Sequence, residues 1–328
     1  MTDKKRVLSG MRPTGPLHLG NLHGALLNWV NMQDDYECFF FIADWHALTS
    51  DYEDPGFLSK YSREIMIDWL SAGLTQEKST LFVQSAIKEH AELFLILSMI
   101  TPVPWLERNP TYKDQIVQIN NKDLSTFGFL GYPVLQAADI IMYKANGVPV
   151  GVDQVPHVEI TREIARRFNY LYGNVFPEPD AILTETPKIL GFDRRKMSKS
   201  YNNAIFLSAP PDDVRQKVSQ MITDPQRARK SDPGDPEVCN VYEFHKLYSS
   251  SDTVLSVDKD CRTAGIGCVE CKKLMAQSLV KGLEPIYEKR AYYSSHPELV
   301  EEIIVDGCNK ARKVATLTME EVRNAVSI

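Results

Sequence analysis

Two short loops and one group of cysteines hold the residue types that could do chemistry. The first loop, Gly10-Met11-Arg12-Pro13-Thr14-Gly15-Pro16-Leu17-His18-Leu19-Gly20-Asn21, lies between a short apolar stretch and a long helical pattern. A glycine-containing turn feeding a helix start presents unpaired backbone N–H groups and the positive end of the helix dipole, which suits a phosphate. It matches neither the G-x-x-x-x-G-K-[ST] of a Walker loop nor the G-x-G-x-x-G of a dinucleotide site. Gly20 would let a purine or ribose approach the backbone, with His18 and Asn21 as hydrogen-bonding neighbours. The second loop, Arg194-Arg195-Lys196-Met197-Ser198-Lys199-Ser200, sets two lysines around two small hydroxyls. Such lysines can neutralise charge as pyrophosphate leaves a nucleotide, an electrostatic form of catalysis.

The cysteines divide into two kinds. Cys38 and Cys308 fall in apolar and helical patterns and read as core residues, whereas Cys239, Cys261, Cys268 and Cys271 crowd into a stretch rich in Pro, Asp and Gly. The intervals between those four are 21, 6 and 2 residues. Four thiolates can hold a tetrahedral zinc or an iron–sulfur cluster. Zinc ribbons usually carry two Cys-x-x-Cys knuckles; here there is one, with Gly265 and Gly267 before it, closer to the looser wrap of a cubane. So polar a segment would not bury four free thiols.

A fourth set of residues lies on one helical face. Between Gly131 and Tyr143 the polar side chains are Tyr132, Gln136, Asp139 and Tyr143, a spacing that puts them in one stripe of an otherwise apolar helix. A helix buried on most sides must turn a stripe carrying a carboxylate to water or to a ligand pocket.

These residues need a scaffold, and the first two thirds of the chain alternate strand and helix signals. Strands are expected at Arg6 to Ser9, Cys38 to Ala43, Thr80 to Val83, Gly147 to Val150 and Thr186 to Leu190, with helices between them, so the fold class is α/β, a Rossmann-type doubly wound parallel sheet. Ligands then belong at the carboxyl ends of the strands. After Ser200 helical patterns dominate, which predicts a catalytic domain over residues 1–202 and an all-helical C-terminal domain over 203–328. The length of 328 residues suits two such domains.

Composition narrows the class further. A hydrophobic fraction of 43% with 24% charged residues excludes a disordered or fibrous chain. No apolar run approaches a membrane span, and the start MTDKKRVLSG lacks the apolar core of an export signal, so no membrane association and a cytoplasmic location are expected. The net charge of −6 argues against indiscriminate nucleic-acid coating. Residues 187–230 nevertheless carry ten Lys or Arg against four Asp, a local balance of +6 that leaves −12 for the rest.

The H-x-G-x loop early and K-M-S-K-S late resemble the two signatures of class I aminoacyl-tRNA synthetases. The strings SGMRPTGPLHLGN, ADWHALT, GYPVLQAADI, GVDQVPHVEITREIARRFN and RKMSKS, in that order along nearly the whole chain, are similar to the bacterial tryptophanyl-tRNA synthetases. His-Leu-Gly-Asn departs from the commoner H-I-G-H in a way usual for that family, and Arg12 stands where many members have Gln. The resemblance implies that L-tryptophan and ATP, with Mg2+, give tryptophanyl-adenylate and pyrophosphate, and that the aminoacyl group passes to tRNA(Trp). It implies ATP contacts from Arg12, Pro13, Thr14, His18, Gly20, Asn21, Gly151, Val152, Asp153, Ile189, Lys196, Met197, Ser198, Lys199 and Ser200, with Lys196 and Lys199 catalytic. Asp139 would accept from the indole N–H; Tyr132, Gln136 and Gln154 would meet the ammonium and carboxylate, and His46 would close the pocket. The cysteine spacing resembles, within one residue of the first interval, the subset carrying a [4Fe-4S] cluster in a C-terminal, anticodon-binding domain, and a homodimer is implied. The nearest rival is a tyrosyl-tRNA synthetase, which shares the fold, both loops and a side-chain carboxylate and is set apart by the opening SGMRPTG and the AADI helix; a catalytically silent RNA-binding paralogue is a second, against which intact Lys196, Lys199, Gly20 and Asp139 argue.

Overall fold

The computed structural model describes residues 4–110, 112, 113, 123–183 and 189–328. Five strands form one parallel sheet: β1 (Arg6–Met11), β2 (Glu37–Ile42), β3 (Ser79–Val83), β4 (Gly147–Val150) and β5 (Asp180–Leu183), in the order β3-β2-β1-β4-β5. All pairings are parallel, with Val7 opposite Cys38 and Gly147, Cys38 opposite Ser79, and Gly147 opposite Asp180. The order reverses between β1 and β4, so a crevice opens there beyond the carboxyl ends of the strands. β2 reads Glu-Cys-Phe-Phe-Phe-Ile and is buried from Cys38 onward, the continuous apolar run of a strand covered on both faces.

Among the described residues the α-helices of five residues or more are α1 (Leu27–Met32), α2 (Asp44–Asp51), α3 (Leu58–Ala72), α4 (Glu89–Ile100), α5 (Val103–Glu107), α6 (Phe127–Met142), α7 (Val155–Tyr172), α8 (Pro211–Ser219), α9 (Asn240–Tyr248), α10 (Ser251–Arg262), α11 (Cys268–Ser295) and α12 (Pro297–Val326). Each expected strand before residue 150 is present. The expected strand at Thr186 to Leu190 lies largely outside the described residues, and the fifth strand is Asp180–Leu183, whose start at Asp180 after two prolines gave no apolar run to notice. Helix α2 has almost no amphipathic period, and α10 carries Cys261 on regular helix although the stretch of the four cysteines reads as rich in Pro, Asp and Gly.

The chain divides into two compact units, one of residues 1–15, 28–186 and 296–328 and the other of 16–27 and 187–295. This differs from a cut after residue 202. The basic loop groups with the helical segment, and α12 groups with the sheet. The reason for the latter is visible at Gly307, where a Cβ would fall 1.8 Å from the Leu81 carbonyl oxygen: α12 lies directly on the edge strand β3 and needs a residue without a side chain to do so. Covering an edge strand in this way also removes a site of unwanted pairing. Cys308, Ala311, Ala315, Met319 and Val322 of α12 join Leu8, Phe39, Phe82 and the inner faces of α4, α6 and α7 in one core. Among the described residues no helix is long and apolar enough to cross a membrane.

Replacing Gly307 with Ala should therefore lower stability by about 2 kcal/mol or more, the overpacking cost of a methyl that meets backbone. Gly24→Ala, where nothing lies within 4 Å, is the control and should leave stability nearly unchanged. Urea unfolding of the two variants checks this; equal midpoints would show that α12 does not press on β3.

Candidate active site

In the first unit the carboxyl ends of β2 and β3 deliver polar groups to the buried face of α6. Asp139 is fully buried. Its Oδ2 accepts from His46 Nε2 at 2.8 Å, its Oδ1 from His90 Nδ1 at 2.6 Å, and the Gln84 amide Nε2 reaches both oxygens at 2.8 and 2.9 Å. Burial would raise the pKa of this carboxyl, but the bonds from His46 and His90 outweigh it and hold it below the usual value, so the group is an anion. Within the polar stripe of α6, Asp139 is thus not turned to water. His46 comes from α2, directly after β2, and Gln84 directly follows β3.

Tyr132, two turns before Asp139, is also buried, and its hydroxyl lies 3.1 Å from His157 Nε2 of α7. Burial, partly offset by the charge of Arg12, pushes that phenol well above its ordinary pKa, so it remains protonated. Asn109 Nδ2 stands 3.1 Å from His157 Nδ1 and donates to it, which leaves His157 Nε2 carrying the proton toward the Tyr132 oxygen. Gln136 and Gln154 are half-buried, Gly151 begins the turn after β4, and Val152 is exposed at 76%. The side chain of Asp153 lies outside the described residues. Arg12 follows β1, and its Nη1 lies 3.5 Å from Ser50 Oγ.

In the second unit, Leu17 to Leu19 runs beside 205–207: Leu207 N donates to Leu17 O at 2.9 Å and Leu19 N to Ile205 O at 3.0 Å. His18 caps the following helical turn. Its Nδ1 accepts from Asn21 N at 3.3 Å while its own N–H donates to Asn21 Oδ1 at 3.1 Å. The ring lies across Gly20, where a Cβ would be 2.9 Å from it, so the glycine is required by the histidine. Burial first, and the nearby Lys199 charge second, lower the His18 pKa to about 4. A neutral imidazole beside a lysine means that the two loops of the sequence meet in this unit.

The lysine loop is held from behind. Asn203, fully buried, accepts from Ser198 N at 2.8 Å and donates to Asp193 Oδ1 at 2.7 Å and to Lys196 O at 3.2 Å. Ile189 O receives Met197 N at 3.2 Å, and both side chains are buried, so Met197 anchors the loop and does not project from it. Lys196 and Ser200 are exposed.

The four clustered cysteines share a neighbourhood in the same unit. Burial first, then the other three sulfurs, push the Cys271 thiol up to about 12. Arg227 Nη1 points at Cys261 Sγ and Cys268 Sγ, at 3.8 and 3.9 Å, and His245 Nε2 lies 3.5 Å from Cys271 Sγ. Among the described residues, however, no group of three or more His, Cys, Asp or Glu side chains is arranged to hold a metal ion. Neither the expected [4Fe-4S] cluster nor its alternative, a zinc ion, therefore has an assembled ligand group among the described residues.

Residues 1–284 match the family model for class I tRNA synthetases (W and Y). The chain is 54% identical over 325 residues to the tryptophan–tRNA ligase of Thermotoga maritima, across 98% of this chain and 99% of that protein. It is 47% identical to the tryptophan–tRNA ligase of Aquifex aeolicus, across 98% and 100% of the two chains. The chain belongs to the class I tryptophanyl-tRNA synthetases. The tryptophanyl-tRNA synthetase of Campylobacter jejuni, solved with ADP and tryptophan, superposes with a TM-score of 0.91 at 34% identity, across 98% of this chain and all of that one, 100%.

In this synthetase the structure brings His46 to Asp139 and His18 near Lys199. Sequence reasoning missed Gln84, His90 and His157, which face the expected residues, and Asn203, which holds the loop; Tyr143 was seen only as a member of the polar stripe. Their signal was weak: Gln84 is a polar residue at the end of an apolar strand, and His90 is a lone histidine in an apolar helix pattern, ordinarily a core position.

The depressed pKa of His18 has a testable consequence. Between pH 6.5 and 4 the unfolded chain binds a proton that the folded chain refuses, so folded stability declines as pH falls through that window and is unaffected above it. His18→Asn keeps a capping acceptor and loses the titration. By pH 4.5 the native chain should have lost about 2 kcal/mol more than this variant, as read by denaturant unfolding. Parallel pH curves would show that the His18 ring is not buried as described.

Proposed function

We propose that this chain activates L-tryptophan with MgATP, forming tryptophanyl-adenylate and pyrophosphate, and then transfers the aminoacyl group to tRNA(Trp). The observation that carries the reading at the level of the site is Asp139, an anion held at the carboxyl ends of β2 and β3 by fixed donors. An indole offers one donor, its N–H, and a carboxylate is its natural acceptor. Tyr132, Gln136 and Gln154 are our candidates for the ammonium and carboxylate of the substrate. In the first unit Arg12, Pro13, Thr14, Gly151, Val152 and Asp153 follow β1 and β4, where a nucleotide belongs in an open sheet.

In the second unit, neutral His18, Gly20 and Asn21 begin a helical segment, with Ile189 and the Lys196 to Ser200 loop beside them. Backbone N–H groups at that start suit phosphate oxygens. Lys196 and Lys199 act by charge alone: as the bond to the α-phosphorus forms from the tryptophan carboxylate and the bond to pyrophosphate breaks, negative charge gathers on the leaving group, which fixed ammonium groups stabilise. A neutral His18 beside Lys199 adds hydrogen-bonding capacity without competing positive charge.

The four cysteines fit a [4Fe-4S] cluster by donor chemistry. A cubane spreads its thiolates over four irons and does not ask them to converge on one point. Arg227 has a buried Nε with no partner and aims Nη1 at two sulfurs, a disposition that suits thiolates better than neutral thiols. When bound, the cluster would tie α10 to α11; Cys239, Cys261, Cys268 and Cys271 would hold it, and no step of the reaction runs through it. The anticodon-binding role expected for this helical segment goes with that reading, in keeping with its basic stretch. Leu95, Met99 and Val103, exposed at 55%, 74% and 51%, would face a second copy in a homodimer. The need for tRNA points to the cytoplasm.

Tryptophan-dependent exchange of pyrophosphate into ATP, with tyrosine as the control, tests the main reading; exchange with tyrosine instead would replace it. Lys196→Ala and Lys199→Ala should each slow adenylate formation by on the order of a hundredfold with little change in tryptophan affinity. Near-normal rates in both would remove the lysines from the chemistry. Protein purified without oxygen should be brown, with about four irons and four sulfides per chain. Colourless protein with one bound zinc would overturn the cluster.

A further inference from the structure

The carboxylate of Asp139 has more partners than recognition of one N–H requires, and they are not equivalent. A carboxylate offers roughly four lone-pair directions. Gln84 and His90 fill the inner ones from side chains with no solvent exposure, while the His46 side chain keeps 10%. The inner donors are themselves fixed. Gln84 Oε1 accepts from Trp45 N at 3.2 Å, and this directs its amide NH2 at Asp139. His90 Nδ1 must carry a proton to donate to the anion, and Nε2 lies 2.7 Å from the Tyr143 hydroxyl, which donates to it and fixes the tautomer. Tyr143 is fully buried, stacked between Phe39, Phe82 and the His90 ring, so it has no alternative orientation. His46 has no such backing among the bonds described and sits on the short helix after β2.

We propose that Gln84 and His90, with Tyr143 behind His90, are positioning residues for side-chain selection: they lock the Asp139 carboxylate in place and leave Oδ2, where His46 stands, as the one oxygen whose donor can be exchanged for the substrate's indole N–H. The proposal rests on the reading of Asp139 as the indole acceptor. Selection follows from the exchange. A ring with an N–H replaces the His46 bond with an equal one, whereas an isosteric ring without it leaves a buried anion one donor short. Without the inner donors the carboxylate would rotate or recede, and the difference between the two rings would shrink.

The test uses kcat/KM in pyrophosphate exchange for tryptophan and for its analogue with sulfur in place of the indole N–H, 3-(benzothiophen-3-yl)alanine. Gln84→Met, His90→Leu and Tyr143→Phe should each raise the tryptophan KM by about tenfold, change kcat by less than about threefold, and cut the ratio between the two substrates by about tenfold. His90→Asn presents an amide N–H where Nδ1–H stood and should restore much of the ratio lost in His90→Leu. If these residues only fill the core, both substrates lose equally and the ratio stays at its native value, which overturns the proposal. Tyr143→Phe removes a single oxygen, and so decides the matter if the Leu variant fails to fold. Asp139→Asn separates the two levels: a native ratio there refutes the acceptor reading itself, while a collapsed ratio there with native ratios in the Gln84 and Tyr143 variants refutes only the positioning role.

Discussion

A negative charge with no access to water is the constraint on which the first unit depends. An isolated carboxylate in an apolar core costs far more than one residue's share of folding stability, so Asp139 exists only because three side chains donate to it. The parallel sheet supplies all three, since β2 and β3 end side by side and the chain leaving each carries donors within two turns: His46 after β2, and Gln84 then His90 after β3. Helix α6 brings the carboxylate itself. Packing of Phe39, Phe41 and Phe82 against Tyr143 and His90 then sets the distances, because close-packed aromatic rings leave little room for the ring of His90 to move.

The second unit has the opposite arrangement. Charge there is exposed: Lys196 lies at the surface while the backbone that carries it is fixed through buried Asn203 and the Ile189 to Met197 pairing. A histidine that became protonated beside Lys199 would add repulsion at that point. Burial prevents it. The close contact of the His18 ring with Gly20 explains why a glycine is needed even though the backbone there is ordinary helix.

The sheet and the two loops were legible in the sequence because they depend on local signals: strand runs such as CFFFIA, a glycine turn before a helix, and lysines next to small hydroxyls. The strands β1 to β4 come from those patterns directly. What could not be read is long-range. α12 looks like any amphipathic C-terminal helix until Gly307 is seen against Leu81, 226 residues earlier in the chain by number. Asp139 was found from its stripe, but the donors that hold it were not, since Gln84 and His90 are 55 and 49 residues away in sequence. The grouping of four cysteines was legible, whereas the regular helix carrying Cys261 and the guanidinium of Arg227 between the sulfurs were not.

The network around Asp139 also resists being divided among its members. Gln84 serves both Trp45 and Asp139, and His90 serves both Asp139 and Tyr143, so removing any one strands a partner that the others cannot reach. Energies of groups that share a partner do not add, and a double-mutant cycle across Gln84 and His90 would carry a coupling of roughly 1–3 kcal/mol. Because every member stands on a strand end or a helix of the core rather than on a long loop, the geometry is set when the fold forms and not when a ligand arrives. Under the proposed reading of Asp139, selectivity is inherited from the stability of the sheet, and changes that loosen the packing behind His90 widen what the pocket accepts before they unfold the chain.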